Sequence, residues 1–343
     1  MNLQTSLQKN NILSEIKKLS KAKKSVSAER LLSVCSGAIS ALKTEVTDYR
    51  SAITGTDCIP GGLLDFTGRN DCDVIIVPDL HARKELIYRL LSYSAFEETS
   101  RTVFDLLCEH KIKIIFLGDI LHSEGLYKER WQQAFLEYDS GNTMSDAMNE
   151  EMTDGLSVLM QVMLLKSAFP ESVHCLKGNH ENIKNENANG NHSFYKFVME
   201  GNMVFDFMFE KYGIETINRI SEFEYLLPVA CFFDNFIVSH AEPLESYSRE
   251  KIINSALYPD VIEGLTWTRN GDVKIMSALD MIQENCVKND IEKKYITGHR
   301  PVREKYALRQ GGVLVQIHNP YRMQFAFIKN AAAFNPEKDI IEL

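Results

Sequence analysis

The sequence holds no unbroken apolar stretch of the roughly 20 residues that a membrane-spanning helix needs. Its apolar run Leu226–Phe233 is short and interrupted by Pro228. An apolar segment of signal-peptide type is also missing near the N-terminus, so the expectation is a soluble cytoplasmic protein with no membrane span. No C-x-x-C pair occurs, and the seven cysteines (Cys35, Cys58, Cys72, Cys108, Cys175, Cys231, Cys286) are odd in number and widely spaced. That argues against a disulfide framework and for a reducing compartment, each thiol serving as a small hydrophobe. Positive charge is in deficit: the formal net charge is -9, which disfavours a nucleic-acid surface but leaves room for a local basic pocket. Internal repeats and low-complexity tracts are absent.

What is present fits a globular chain. Its 343 residues suffice for one large domain or two ordinary ones, and 44% hydrophobic residues can fill a core. Residues 1–70 read as an N-terminal helical segment and linker. Ile12, Ile16 and Leu19 recur at helical spacing, and a second helix is expected over Ala28–Tyr49. Lys17, Lys18, Lys21, Lys23 and Lys24 make the first segment basic. A solvated helix face is the plainer reading of that run, a docking surface for an acidic partner or anionic lipid the bolder one. Gly55, Pro60, Gly61, Gly62 and Gly68 mark residues 51–72 as a loop.

From residue 71 to 343 the expectation is one α/β domain. Strands at Val74–Val77 and Ile112–Leu117 alternate with helices at Arg83–Tyr93 and Arg101–His110, a β-α-β pattern that implies parallel neighbours. Residues 123–170 break the rhythm as a helical insertion, with helices over Tyr127–Tyr138 and Met144–Phe169; it serves either as a cap or as scaffold. Beyond an Asn-rich loop at 182–192, a helix is expected over Ser193–Lys211, a hairpin from Phe223–Phe233 and Phe236–Ser239 turning at Asp234-Asn235, and a helix over Ile275–Val287. Val313–Ile317 and Gln324–Ile328 read as closing strands of a second sheet.

Five short β-like runs end in polar residues. Val74–Val77 leads to Asp79 and His81, Ile112–Leu117 to Asp119, Val173–Leu176 to Asn179 and His180, Phe236–Ser239 to His240, and Tyr295–Thr297 to His299. Ligands in open α/β sheets sit outside the carboxyl ends of the strands, so these residues should share one rim. Carboxylate, imidazole and amide oxygen together suit divalent Mn, Fe or Zn.

The ordered set D-x-H (Asp79, His81), G-D (Gly118, Asp119), G-N-H-E (Gly178–Glu181), His240 and G-H (Gly298, His299) resembles the calcineurin-like metallophosphoesterase superfamily over roughly residues 73–329. The resemblance implies two packed mixed β-sheets flanked by helices in four layers. It implies a phosphoric ester hydrolase with two divalent metal ions, a phosphorylated protein or small molecule as substrate, and a metal-bridging hydroxide as nucleophile. Asp79 and His81 would bind the first metal, Asp119 would bridge, and Asn179, His240 and His299 would bind the second. His180 would be the general acid.

Many members of that superfamily end in G-H-x-H; here the run is Gly298-His299-Arg300-Pro301, as in the serine/threonine phosphatase branch, including its bacterial members. Leu265–Arg269 is similar to that branch's Trp-containing segment, and Asn319-Pro320-Tyr321 to its late loop, which implies a Tyr at the rim. The branch reads G-D-x-V-D-R-G, whereas this chain has His122 where the second Asp stands and Ser123 where the Arg stands. What orients His180 is therefore open. Arg269 leads as a phosphate-binding residue, with Arg300 and Arg303 behind it, each also readable as a surface side chain. His122 and Tyr321 complete the substrate-side candidates. His110, His174 and His192 read as structural or surface residues, and His318 as one that approaches the rim without a ligand role. A phosphomonoesterase, including a protein Ser/Thr phosphatase, is the leading expectation. A phosphodiesterase or dinucleoside polyphosphate hydrolase is the alternative, and a non-catalytic scaffold on the same fold stands behind both.

Overall fold

A computed structural model describes residues 3–45, 48–56, 58–69, 72–94, 100–273, 275–286 and 291–343, with backbone alone for 3–10. Eleven strands are seen among the described residues: β1 Leu63–Asp65, β2 Asp73–Val77, β3 Ile112–Phe116, β4 Val173–Cys175, β5 Ala230–Phe232, β6 Phe236–Ser239, β7 Lys294–Thr297, β8 Ala307–Arg309, β9 Leu314–Gln316, β10 Gln324–Ile328 and β11 Ile340–Glu342. They form a five-stranded sheet, β11-β10-β2-β3-β4, and a six-stranded sheet, β1-β5-β6-β7-β9-β8. β2, β3 and β4 are parallel neighbours, as are β6, β7 and β9.

The two-residue period of a strand explains the layering. Val74, Ile76, Ile115 and Leu117 point from the first sheet onto Val238, Ile296 and Val315 of the second, forming a dry layer between them. The alternate residues Ile75, Val77, Ile114 and Phe116 point outward into helices, as do Ile237, Tyr295 and Leu314 on the other side. The order is helix, sheet, sheet, helix, as expected.

Helix Asp146–Ala168 is buried along most of its length. It packs in one core with helices Leu3–Leu19, through Ile16 and Leu19, and Ala28–Lys43, through Leu31, Cys35 and Ile39. That helix, the larger part of the 123–170 segment, is therefore scaffold beneath the sheet, while Glu124 at the segment's start lines the cavity described below. Glu45 ties these parts together. Its buried carboxylate meets Arg50 and Lys166 and lies 3.0 Å from His174 Nδ1, while Lys166 Nζ also donates to Val173 O at 3.0 Å. Burial alone would push that carboxyl up, yet Lys166 and Arg50 hold it well below its ordinary value.

Several local expectations need correction. Residues 51–72 are not all loop, since β1 lies within them. The second N-terminal helix stops at Lys43, and part of its expected extension, 46–47, lies outside the described residues. Residues 193–199 are not helical: the Glu200 carboxylate accepts the backbone N–H groups of Lys196 (2.8 Å) and Phe197 (2.6 Å), and the chain bends there. The helix runs instead over Glu200–Tyr225, kinked at Gly213, so Phe223 is helical and only β5 and β6 form the hairpin. The late helix covers Ser277–Asn285, and Val287 lies outside the described residues. β9 does join the second sheet, but β10 pairs antiparallel with β2 in the first, where it covers an otherwise open edge. No helix of the described residues is long and apolar enough to cross a membrane.

The Glu45 cluster makes a stability prediction. Glu45→Gln leaves Arg50 and Lys166 as buried cations without their counter-charge and should cost about 3–5 kcal/mol in denaturant unfolding. Because the Glu45 pKa is depressed in the fold, the carboxylate's contribution is present above its ordinary value of 4.5 and fades as pH falls.

Candidate metal centre

Parallel neighbours within each sheet point their carboxyl ends the same way, so β2, β3 and β4 deliver Asp79, His81, Asp119, Asn179 and His180 to one edge. β6 and β7 deliver His240 and His299 across the gap. Two contacts join the sheets there. His240 Nδ1 donates to Leu117 O at 2.8 Å, and the His299 backbone N–H donates to the Asp79 carboxylate at 2.9 Å.

Asp119 lies at the centre. Its Oδ2 is 3.6 Å from His81 Nε2 on one side and 3.4 Å from His240 Nε2 on the other, with His180 Nε2 at 3.7 Å. His81 Nδ1 donates to His122 O at 2.9 Å, which leaves its Nε2 facing Asp119 and, at 3.8 Å, Asp79. Asn179 Oδ1 lies 3.0 Å from His240 Nε2 and 2.9 Å from His299 Nδ1. So many lone pairs aimed at two points are held together only by protons or cations. Three groups of side chains have the spacing of a cation's ligands: Asp79, His81 and His318; His81, Asp119 and His180; and Asp119, His240 and His299. The mixed oxygen and imidazole donors fit divalent first-row metals.

Backbone geometry makes this closeness possible. A Cβ on Gly298 would sit 1.8 Å from Asp79 Oδ1, and one on Gly178 would sit 2.3 Å from Asp119 Oδ1. Only hydrogen in those places lets the carboxylates turn inward. His81, Asp119, His122 and His299 all take positive φ, a conformation costing about 1–3 kcal/mol each when held by surrounding contacts. Glu181 supplies much of that hold. Its buried carboxylate accepts the backbone N–H groups of Gly178 (2.6 Å), Asp119 (2.9 Å) and Ile120 (2.8 Å), locking the two loops together.

Electrostatics follow from burial. Dehydration alone would raise the Asp119 carboxyl, but His180 and His240 hold it well below its usual range. Dehydration would lower His240, yet Asp119 and Asp79 push it up to about 9. His180 and His299 are both held well below the ordinary value, chiefly by burial. His122 is driven down to about 3 for the same reason, so it is a neutral ring.

The substrate-side candidates separate. Arg269 and Arg300 line a cavity of about 830 Å³ whose floor holds Asp119, Asn179 and His180. His122 is not at the cavity surface: it lies buried behind His180, the two Nδ1 atoms 3.0 Å apart. Tyr321 is exposed and lines, with Arg83 and Leu126, a neighbouring groove that shares His81 and Glu124 with the cavity. Arg303 does not line the cavity. Sequence reasoning missed Lys196, which lines the cavity and pairs with Glu124, and Phe194, whose ring centroid is 3.7 Å from that of His180. Both lie where a helix was expected, so no periodic signal pointed to the site.

No family model and no curated protein matches the sequence. Solved structures do. A protein serine/threonine phosphatase from Saccharomyces cerevisiae, with similarity to human phosphatase PP5, superposes with a TM-score of 0.57 at 14% identity, over 93% of this chain and 89% of that one. The chain has the calcineurin-like phosphatase fold. A cold-active protein tyrosine phosphatase (TM-score 0.43, 11% identity, 82% of this chain and 80% of that one) and that of a psychrophilic Shewanella species (0.44, 10%, 82% and 82%) overlap too loosely to add to this. Within this phosphatase fold the five motif loops gather at the shared edge of the two sheets.

Two outcomes test the centre. Gly298→Ala should leave the far-ultraviolet circular dichroism largely unchanged but lower bound metal sharply, measured by elemental analysis after dialysis. Because His240 carries a proton below about pH 9, a cation entering there must displace it, so affinity should rise with pH by up to tenfold per unit until about pH 9. Calorimetry in buffers of different ionisation enthalpy reads the released proton directly.

Proposed function

We propose that the chain is a dinuclear-metal phosphoric ester hydrolase acting on phosphomonoesters, a phosphorylated protein side chain being one candidate. The observation that carries this reading is Asp119 Oδ2, set between His81 Nε2 and His240 Nε2 on the floor of an open cavity, with His180 Nε2 3.7 Å away. Two divalent cations, when bound, would supply a water acidic enough to attack phosphorus near neutral pH and charge to steady the phosphate oxygens. Asp79 and His81 would hold one, Asn179, His240 and His299 the other, and Asp119 both.

His180 is the proton donor to the leaving oxygen in this reading, with Nε2 as the reacting atom. With both rings neutral, His122 Nδ1–H would donate to His180 Nδ1, 3.0 Å away, and leave the His180 proton on Nε2; a carboxylate is expected in that place from the resemblance. The Phe194 ring packs on His180 and shields it from water. Arg269, exposed at the cavity wall, reaches for phosphate as a planar fork matched to two oxygens, with Arg300 beside it. Ser123 cannot do this, because its hydroxyl and backbone N–H are both engaged by Glu151 of the insertion.

The breadth of the cavity and its aromatic wall, Trp267 and Tyr195, favour a phosphodiester or dinucleoside polyphosphate as the second reading. A panel of p-nitrophenyl phosphate, its bis-ester, phosphopeptides and diadenosine tetraphosphate separates the two. His180→Ala should lower kcat by about 10²–10⁴-fold on the preferred substrate while leaving metal content intact. Asp119→Asn should lower both. Metal-loaded protein inert toward the whole panel would favour a scaffold without catalysis.

A further inference from the structure

His318 is fully buried, immediately past β9 in the six-stranded sheet, and was not expected to bind a metal. Its two ring nitrogens are treated very differently. Nε2 hydrogen-bonds to the Glu124 carboxylate, which also pairs with Lys196. Nδ1 has no hydrogen-bond partner and points into the site, 3.8 Å from Asp79 Oδ2. A carboxylate on one imidazole nitrogen fixes the proton there and leaves the other as a bare lone pair. A bare lone pair in a dry interior is costly unless something accepts it.

The surrounding backbone holds His318 still. Its carbonyl accepts the Val302 N–H at 2.8 Å, and the flanking carbonyls of Ile317 and Asn319 accept Gln324 Nε2 at 2.8 Å and Arg83 Nη1 at 3.1 Å. Arg83 also grips the Asp79 carbonyl, so the His318 loop and the Asp79 loop move as one.

We propose that His318 Nδ1 is a ligand of the first cation, beside Asp79, His81 and Asp119, with Glu124 as the residue that orients it. This rests on the dinuclear reading given above. The ligand atoms of Asp79, His81 and His318 all lie within 4.8 Å of one another. Ligands about 2.1 Å from one ion at tetrahedral angles stand about 3.4 Å apart, close to the 3.6 to 3.8 Å between neighbouring donor atoms here. The first cation would then have two carboxylates and two imidazoles, and the second a carboxylate, an amide and two imidazoles.

A crystal structure of the full chain grown with Mn²⁺ or Zn²⁺ tests this. Two ions are expected, with His318 Nδ1 about 2.0–2.3 Å from the one held by Asp79 and His81. In solution, His318→Ala should retain about one ion per chain after dialysis and lose more than about 100-fold in affinity for the other, beyond the 10–100-fold typical of an orienting partner. Two ions with Nδ1 more than about 3 Å away, or with Glu124 in its place, overturn this inference alone. A wild-type chain that takes up no ion overturns the dinuclear reading and the inference together.

Discussion

The structure is organised around an electrostatic problem. Two aspartates and the imidazoles of His81, His240, His299 and His318 are packed into a place from which water is nearly excluded. Side by side, their lone pairs repel one another, and dehydration disfavours each charge. Such a cluster holds only if something positive enters it and the backbone beneath cannot retreat. The raised His240 pKa expresses the first condition, with a proton taking the place of a cation. The second is met by two sheets whose carboxyl edges are clamped face to face.

The clamp is built from groups that hold backbone rather than from the clustered donor atoms themselves. Glu181 gathers three backbone N–H groups from two loops, and Arg83 gathers carbonyls from the loops before and after it. Gly178 and Gly298 give the carboxylates room. The four left-handed residues store strain that a looser surround would release. Rigidity here keeps donor atoms preset at 3.4 to 3.8 Å, a spacing that would need little movement to share a cation.

The helical insertion takes part by packing and by charge. Trp131 Nε1 donates to Ser123 O at 3.0 Å, and Glu151 holds Ser123 in place. The stretch that departs from the pattern the sequence resembles, His122 and Ser123, is thus the stretch that Trp131 and Glu151 grip. A buried neutral His122 stands against His180, and Trp131 supports it from behind, the two ring centroids 6.1 Å apart; in the proposed reaction this would be an uncharged way to orient the proton donor.

The sequence by itself determined the strand ends and their cargo, because a short β-branched run followed by Gly, Asp, Asn or His is a local pattern and parallel strands share a polarity. Asp79, Asp119, Asn179, His240 and His299 were legible for that reason. His318, two residues past a strand, was legible as approaching the rim, whereas Lys196, Phe194 and Glu124 were not, since each reaches the site through a turn or a buried contact that no periodicity encodes. The bent, non-helical course of 193–199 goes with Glu200 capping backbone groups, a contact between neighbours that outweighed helix propensity. Only the tertiary structure decided that β10 crosses to the first sheet, that helix Asp146–Ala168 lies beneath the sheet, and that Tyr321 lines a neighbouring groove. Those outcomes depend on which apolar faces and open edges remain to be covered once the two sheets have met, and that is a property of the assembled layers.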